Sequence, residues 1–368
     1  MAQADVSTIL LFSSNIRPLY EQDILNLSAV PVGTRYRFRY RAKYVEPELL
    51  DAWGAELRDR DVLVVYSLQQ LKKYQDAAFI PIRVGKVLRA YVESADLCVI
   101  EFEVGRSASL GAPANDDAAA EQVKALRAFF EENGAGIPYP YSASSLRVAL
   151  TASGSPIQVA NSGAEDLALF ERSTMYLSGV VSLLDVRYLR VVGVFPREKW
   201  AKGEREQVVR DSDTGSVVLK PGDSYIVEVL LQQPAEPVLP GTFDLAFDDD
   251  VIQVIGPKTI TVNSRYDLVT VEVHAAQLGD DVERTGLLTI APGAGTRGPA
   301  VYVPIKVQLG PARTAMTLGV SVGGLALIGL PAVIKDLPVA ANLAILALGV
   351  FLTAVGPFVL RRTLPWKF

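Results

Sequence analysis

Four arginines and one lysine alternate with aromatic residues in one short stretch of the chain. This stretch, VGTRYRFRYRAKY, carries its cations at Arg35, Arg37, Arg39, Arg41 and Lys43. Successive side chains of a β-strand point to opposite faces, so the spacing predicts a strand with five cations on one face. Like charges in a row repel one another, and such a row is favoured where anions lie along it, as the phosphates of an extended nucleic acid do.

The other face of the same predicted strand is aromatic. Tyr36, Phe38, Tyr40 and Tyr44 lie between or beside the cations. Proteins that bind single-stranded nucleic acid commonly combine a cationic track with aromatic side chains that stack on bases. The five cations, Tyr36, Phe38 and Tyr40 are therefore the candidate nucleic-acid-binding residues. Further positive charge in the same region comes from Lys72, Lys73, Arg83, Lys86 and Arg89.

A second interpretation of the basic stretch needs no ligand. Glu101 and Glu103 in the segment VIEFEV also share one strand face, and they are able to pair with the arginines across a sheet. A salt-bridged sheet, or a contact with another protein, accounts for the alternation as well as an anionic ligand does. Both interpretations stay open on the sequence.

The residue types needed for common catalytic and metal sites are scarce. The chain has one cysteine, Cys98, and one histidine, His274, and it has no phosphate-binding loop motif and no zinc-protease motif. The run from Asp248 to Asp250 lacks the ligand spacing of a calcium loop and is interpreted as a solvated turn. We therefore predict that the chain is not an enzyme and that it has no catalytic residue, no metal and no cofactor. A membrane-tethered enzyme of unrecognised type is kept as a rival.

The elements that must position the basic stretch are predicted to be mainly β with some helix. Residues 1–112 contain buried and paired strand patterns that suggest a small, partly closed β-barrel-like domain for ligand sensing. Residues 113–203 open with an amphipathic helix and form an α+β connecting subdomain. Residues 204–312 show short alternating runs between turn residues, the pattern of an immunoglobulin-like β-sandwich.

The C-terminal segment, residues 313–368, is predicted to be a two-helix transmembrane hairpin. Residues 314–334 and 337–360 are free of charge for about 20 residues each, which is enough to cross a bilayer as helices. A buried hairpin in a soluble protein is the alternative. Arg313, Arg361 and Lys367 flank the spans, and the N-terminus lacks the features of a signal peptide, so the bulk of the chain is expected in the cytoplasm at a bacterial inner membrane.

Two helices cannot enclose a pore, so conduction would require a homo-oligomer with several copies of the hairpin. Gly319 and Gly323 form a G-x-x-x-G pair, which allows helices to approach closely in lipid. The polar residues Ser321, Asn342 and Thr353 are the candidates to line a pore.

The order of basic strand, sandwich and C-terminal hairpin resembles membrane effectors of bacterial anti-phage systems, and among these the effector of the Hailong type. The resemblance is one of layout across the chain together with the stretch Arg35–Tyr44. It implies an oligomeric ion channel, for which a tetramer is suggested, controlled by a single-stranded oligonucleotide or nucleotide signal from a partner nucleotidyltransferase. It also implies that the cations bind phosphates and that membrane lipid surrounds the hairpin. The alternative function is a membrane-anchored scaffold that recruits a cytosolic protein through its basic strand.

Overall fold

A computed structural model describes most of the chain before residue 310 and a few residues after it. The described residues are 7–68, 78–94, 96–134, 142–150, 154–179, 185–234, 238, 240–279, 281–309, 345–348 and 350–351. The fold is mainly β, as the sequence predicts.

The N-terminal part is built on one mixed sheet. Its strands are β1 (Thr8–Ser14), β2 (Arg35–Arg41), β3 (Asp61–Leu68), β4 (Ala78–Ser94), β5 (Leu97–Leu110), β6 (Ala143–Leu146) and β7 (Ile157–Val159). The order is β2-β5-β4-β3-β1-β6, with β7 on β5 and with β1 parallel to β3. Val45, just after β2, forms a bridge with Ala143 at the start of β6. The segment that follows β2 therefore contacts β6, the strand at the other end of the sheet order.

The described residues 345–348 and 350–351 are helical, and five α-helices accompany the sheets in the described residues up to 309. They are α1 (Pro18–Ala29), α2 (Pro47–Asp51), α3 (Asp116–Glu132), α4 (Gly163–Gly179) and α5 (Arg197–Ala201). Pro18 at the first position favours the start of α1. Proline lacks a backbone N–H, and an N–H at this position has no hydrogen-bond partner within the helix. The Asn115 side chain accepts from the Ala118 amide at 2.8 Å and caps α3. α1 contacts both β1 and β8 and so lies between the two halves of the molecule.

Two sheets make up the second half, and their strands pair antiparallel except for β9 with β16. The four-stranded sheet runs β12-β14-β10-β8 and the five-stranded sheet runs β13-β11-β15-β16-β9. The strands are β8 (Tyr188–Pro196), β9 (Val217–Leu219), β10 (Ser224–Gln232), β11 (Gly241–Phe247), β12 (Ile252–Ile255), β13 (Thr259–Val262), β14 (Tyr266–Ala275), β15 (Glu283–Pro292) and β16 (Val301–Gln308). In β16, Val301, Val303, Ile305 and Val307 are buried in alternation with more exposed residues, as a strand with one apolar face requires.

The segment 113–203 is shared between these two halves. β6 pairs with β1, β7 pairs with β5, and β8 pairs with β10, so none of the described strands in this segment forms a sheet of its own. β8 thus extends the four-stranded sheet upstream of residue 204. Buried apolar residues from all three sheets form one contiguous hydrophobic cluster.

The predicted membrane spans fall almost wholly outside the described residues. Residues 314–334, most of 337–360, and the pore candidates Ser321, Asn342 and Thr353 are among those not described. Within the described part of the chain, no helix combines the length and apolar character that crossing a bilayer requires.

Candidate functional site

The alternating basic stretch forms β2, whose outward residues define what we call the arginine face. Arg35, Arg37, Arg39 and Arg41 are exposed, whereas the residues between them are buried or half-buried. β2 pairs with β5 alone among the described strands, which places the row of arginines near one edge of the sheet. The predicted alternation of faces is therefore present over Arg35–Arg41.

The aromatic side of β2 packs into the core. Phe38 and Tyr40 are only 6% and 8% exposed. The Phe38 ring stacks on Phe102 with 5.8 Å between ring centres, and the Tyr40 hydroxyl donates to the Phe12 carbonyl at 3.4 Å. Burial raises the pKa of Tyr40 well above its ordinary value. The expectation that Phe38 and Tyr40 stack on bases therefore has to be corrected, because core packing covers both rings.

Tyr36, the first aromatic of β2, is half-buried and anchored to α1. Its hydroxyl donates to the Asp23 carbonyl at 3.2 Å, and its ring lies 5.5 Å from that of Phe38. Burial raises the pKa of the Tyr36 phenol. These contacts give Tyr36 a packing role at the sheet–helix junction.

The cationic row ends at Arg41, because the chain turns at the next residue. Ala42–Tyr44 form a 3-10 helix, so Lys43 is exposed but no longer follows the strand alternation. Its ammonium lies 4.9 Å from the centre of the exposed Tyr44 ring. Of the four aromatics considered for stacking, Tyr44 is the one that the structure leaves exposed.

Carboxylates are interleaved with the arginines. Arg37 lies 3.9 Å from Glu101, Arg39 3.7 Å from Glu93, and Arg41 3.8 Å from Asp96. By cross-strand register, the face also holds Lys86, Arg89, Glu103 and Asp61. Six cations thus share the face with five carboxylates: Arg35, Arg37, Arg39, Arg41, Lys86 and Arg89 against Asp61, Glu93, Asp96, Glu101 and Glu103.

Arg89 makes the tightest pair on the arginine face. Its Nε and Nη2 donate to the two oxygens of Glu101 at 2.6 and 3.0 Å. These hydrogen bonds lower the pKa of Glu101, with smaller contributions from the charges of Arg89 and Arg37. Glu101 is therefore committed to Arg89 first, and Arg37 is its more distant partner.

The guanidinium N–H groups of Arg37, Arg39 and Arg41 remain available as hydrogen-bond donors to a ligand. Their side chains are 47%, 48% and 64% exposed, and their separations from the nearest carboxylates are longer than a hydrogen bond. None of the three guanidinium groups makes a hydrogen bond with another described residue. A guanidinium presents a planar fork of donors that matches phosphate or carboxylate oxygens in pairs, so these three groups are suited to bind such an anion.

The other cations counted from the sequence are distributed differently. Lys86 and Arg89 lie on the arginine face, and Lys72 and Lys73 are outside the described residues. Arg83 is fully buried, so its charge does not add to the arginine face.

Arg83 belongs to a buried cluster that sequence reasoning missed, formed with Arg190 and Asp166. Arg190 donates to the Asp166 carboxylate and, at 2.8 Å, to the Ser28 carbonyl. Arg83 donates to the Val30 carbonyl at 2.9 Å and lies 4.0 Å from Asp166. Burial lowers the pKa of Arg83 to about 10, which still leaves it charged at neutral pH. A single cation inside an apolar run, as in FIPIRV and YLRVVGVF, is the signal that the sequence offers.

His274 and the acidic turn have local roles. The Ser224 hydroxyl lies 3.3 Å from Nδ1 of His274 across the β10–β14 pair. Asp248 accepts from the Leu287 amide at 2.8 Å. Among the described residues, no group of three or more His, Cys, Asp or Glu side chains is arranged to hold a metal ion.

Comparison with known proteins gives little likeness. No protein-family model matches the chain, and no curated protein matches it. Among solved structures, a FixG-related protein from Vibrio parahaemolyticus is similar over 34% of this chain and 99% of its own length, with 15% identity and a TM-score of 0.21.

Proposed function

We propose that the chain is a non-enzymatic, ligand-controlled membrane effector whose arginine face binds a polyanion, and that a single-stranded oligonucleotide is the ligand. The observation that carries this proposal is that Arg37, Arg39 and Arg41 are exposed and make no hydrogen bond within the described part of the chain. Three planar donor groups in a row suit three successive anionic groups.

The dimensions of the row favour an oligonucleotide over a mononucleotide. Alternate residues of a strand are about 6.7 Å apart, so Arg35 to Arg41 extend over about 20 Å. A mononucleotide reaches one or two of these positions, whereas an extended chain of phosphates reaches all of them. The interleaved carboxylates weaken the long-range field of the face, so binding is expected to depend on close contacts with the guanidinium groups.

The remaining domains complete the proposal. The N-terminal sheet serves as a barrel-like sensor, the second half as an immunoglobulin-like stalk, and residues 313–368 as a transmembrane hairpin that assembles with further copies into an ion channel. The bulk of the chain lies in the cytoplasm at a bacterial inner membrane, and the role is anti-phage defence, as the resemblance in layout implies. The ligand acts by binding one arrangement of the assembly better than the other.

A second candidate function follows from the mixed charge of the same face. Six cations beside five carboxylates are suited to a partner protein whose surface also carries both signs. Under this alternative, the chain is a membrane-anchored scaffold that recruits a cytosolic protein through β2.

Binding of a labelled oligonucleotide separates the two candidates. The probe is a fluorescein-labelled 12-nucleotide oligodeoxyadenylate, and the protein is the full chain in detergent. The test variant carries Arg37→Gln, Arg39→Gln and Arg41→Gln. The control variant carries Arg127→Gln, Arg147→Gln and Arg197→Gln, which remove the same charge from other surfaces.

We expect the wild type and the control variant to bind the probe, and the test variant to lose at least about tenfold in affinity. The salt dependence of binding should also fall by about two in slope, since three phosphate contacts at about 0.7 each are removed. Equal binding by both variants would exclude the arginine face as the site, and no binding by the wild type would favour the scaffold.

Ion flux tests the membrane part separately. Liposomes that contain the full chain should conduct, and the probe should change the flux, whereas a chain ending at residue 312 should not enter the liposomes. Flux absent under all conditions would leave the chain as an anchored receptor without a channel.

A further inference from the structure

We infer that Arg35 connects the arginine face to β16 through the turn Asp211–Gly215, which we call the coupling turn. The inference rests on the proposed function. It says how binding of a ligand to the arginine face changes β16 at the end of the second half of the molecule. β16 is the last described strand, and it ends at Gln308, shortly before the first predicted membrane span.

The first link is the contact between Arg35 and the coupling turn. The Arg35 guanidinium donates to the Ser212 carbonyl. Gly215 has a positive φ of 73°, and a Cβ at that position would lie 3.0 Å from Cγ of Arg35 and 3.3 Å from its backbone nitrogen. The turn therefore packs against the stem of Arg35 as well as accepting a hydrogen bond from its head.

A second contact fixes the same two segments to each other. A Cβ on Gly33, whose φ is +82°, would lie 2.8 Å from Cδ of Arg210. Arg210 donates to the Gly215 carbonyl at 2.9 Å, and burial lowers the pKa of Arg210 to about 10. The start of β2 and the coupling turn thus pack against each other at more than one residue.

The second link is the carboxylate of Asp211, which organises the coupling turn. It accepts from the amides of Asp213 and Thr214 at 2.9 Å each, and from the Thr214 hydroxyl at 3.0 Å. The hydrogen bond from the Thr214 amide is the largest cause of a pKa of about 2 for Asp211, and the bond from Lys306 is the next. A turn held by this many bonds moves as a unit.

The third link joins the coupling turn to β16. The Lys306 ammonium lies 3.1 Å from Asp211 and 2.9 Å from Glu283. β9, which follows the turn, pairs in parallel with β16 through Val217 and Ile305. Displacement of the coupling turn therefore acts on β16 through one ion pair and one strand ladder.

Arg35 is the residue that the ligand and the coupling turn share. It belongs to the same exposed row as Arg37, so a phosphate held by Arg37 lies within reach of Arg35. That phosphate competes with the neutral Ser212 carbonyl for the guanidinium, and charge-assisted bonds to phosphate are the stronger of the two. Ligand binding then loosens the coupling turn and, through Lys306, β16.

Hydrogen exchange of the full chain in detergent micelles tests the connection with and without ligand. In Arg35→Ala, we expect amides of residues 211–219 and 301–308 to exchange about fivefold faster than in the wild type, since one charge-assisted hydrogen bond is lost. Arg41→Ala, at the far end of the row, should leave both segments unchanged. Arg35→Lys keeps the charge and serves as a second variant if Arg35→Ala does not fold. Equal exchange of residues 301–308 in the Arg35 and Arg41 variants would overturn the inference.

The probe oligonucleotide separates failure of the inference from failure of the proposed function. Added to the wild type, it should speed exchange in residues 211–219 and 301–308. If the probe binds but exchange of these segments does not change, the coupling is wrong and the binding proposal stands. If the probe does not bind, the proposed ligand is wrong, and faster exchange of both segments in Arg35→Ala still supports the connection.

Discussion

Arginine occurs in two contrasting settings in the N-terminal half of the molecule. On the arginine face, three guanidinium groups lie half exposed at 3.7 to 3.9 Å from carboxylates. In the buried cluster, Arg83 and Arg190 are at most 1% exposed, each donates to a backbone carbonyl, and Arg190 also donates to Asp166. Removal of a charge from water is costly, so a buried arginine requires fixed partners, whereas an exposed one stays available to a ligand.

The comparison separates a structural use of arginine from a binding use. The buried cluster holds β4, α4, β8 and the end of α1 in place, so its loss should affect folding. The arginine face contributes little to stability, so its loss should affect binding. The following predictions run from the largest expected effect to the smallest.

Asp166→Ala should give the largest loss of stability. The substitution leaves two buried cations without their carboxylate, and breaking such an arrangement costs about 3–5 kcal/mol in the free energy of unfolding. Urea unfolding followed by circular dichroism measures the change. The control Glu93→Ala removes an exposed partner of Arg39 and should cost less than about 1 kcal/mol. Equal losses in the two variants would remove the distinction between the settings.

Phe38→Ala should cost about 3–4 kcal/mol in the free energy of unfolding, because the ring is buried and stacked on Phe102. Tyr44→Ala, at an exposed ring, should change stability by less than about 0.5 kcal/mol. Thermal unfolding of both variants checks the assignment of Phe38 to the core. A Phe38 variant as stable as the Tyr44 variant would return the β2 aromatics to the list of stacking residues.

Glu101→Gln should raise the affinity of the arginine face for an anionic probe. The substitution removes the carboxylate that accepts both Arg89 hydrogen bonds and that lies nearest to Arg37, so the Arg89 donors become available and the negative charge beside Arg37 is lost. We expect about threefold tighter binding of the labelled oligodeoxyadenylate, in line with the modest energy of exposed ion pairs. Glu48→Gln, which removes an exposed carboxylate that pairs with Arg147, is the matched control. Weaker binding by the Glu101 variant would indicate that the carboxylate itself contacts the ligand.

Lowering the pH should have the smallest of these effects, a loss of hydrogen-exchange protection in the coupling turn. The folded pKa of Asp211 is about 2, below its ordinary value of 3.8, so its contribution is present above pH 4 and is lost as the pH falls toward 2. Exchange of residues 211–219 should therefore rise more between pH 4 and pH 2.5 in the wild type than in Asp211→Asn, after correction for the intrinsic rate. Identical pH profiles for the two proteins would exclude Asp211 as the group responsible.

Alternation in the sequence was enough to predict β2 and its two faces. The Arg–aromatic period of two fixes which residues share a side, and this agrees with the strand Arg35–Arg41. The period does not reveal which side is buried, because that depends on α1 and β5 packing against it. The sequence therefore predicts that the β2 aromatics contact a ligand, whereas Phe38 and Tyr40 are buried in the core. Lys43 left the pattern because the chain enters a 3-10 helix at Ala42.

Long-range pairing limited the rest of the prediction. The mainly β character was readable from short alternating runs, and it is confirmed. The sequence shows no local pattern that predicts which distant segments pair. Examples are β8 with β10, and Arg83 with Asp166, which are 83 positions apart. The contact of Arg35 with Ser212 spans 177 positions.

The end of α1 has a consequence for biosynthesis. Its terminal carbonyls are bonded by Arg83, made some fifty residues later, and by Arg190, made some 160 residues later. A nascent chain on the ribosome therefore holds α1 without the second of these donors until β8 has left the exit tunnel. We therefore expect the N-terminal half to reach its final form only after synthesis has passed Arg190, which leaves a long window in which chaperones encounter the unfinished sheet.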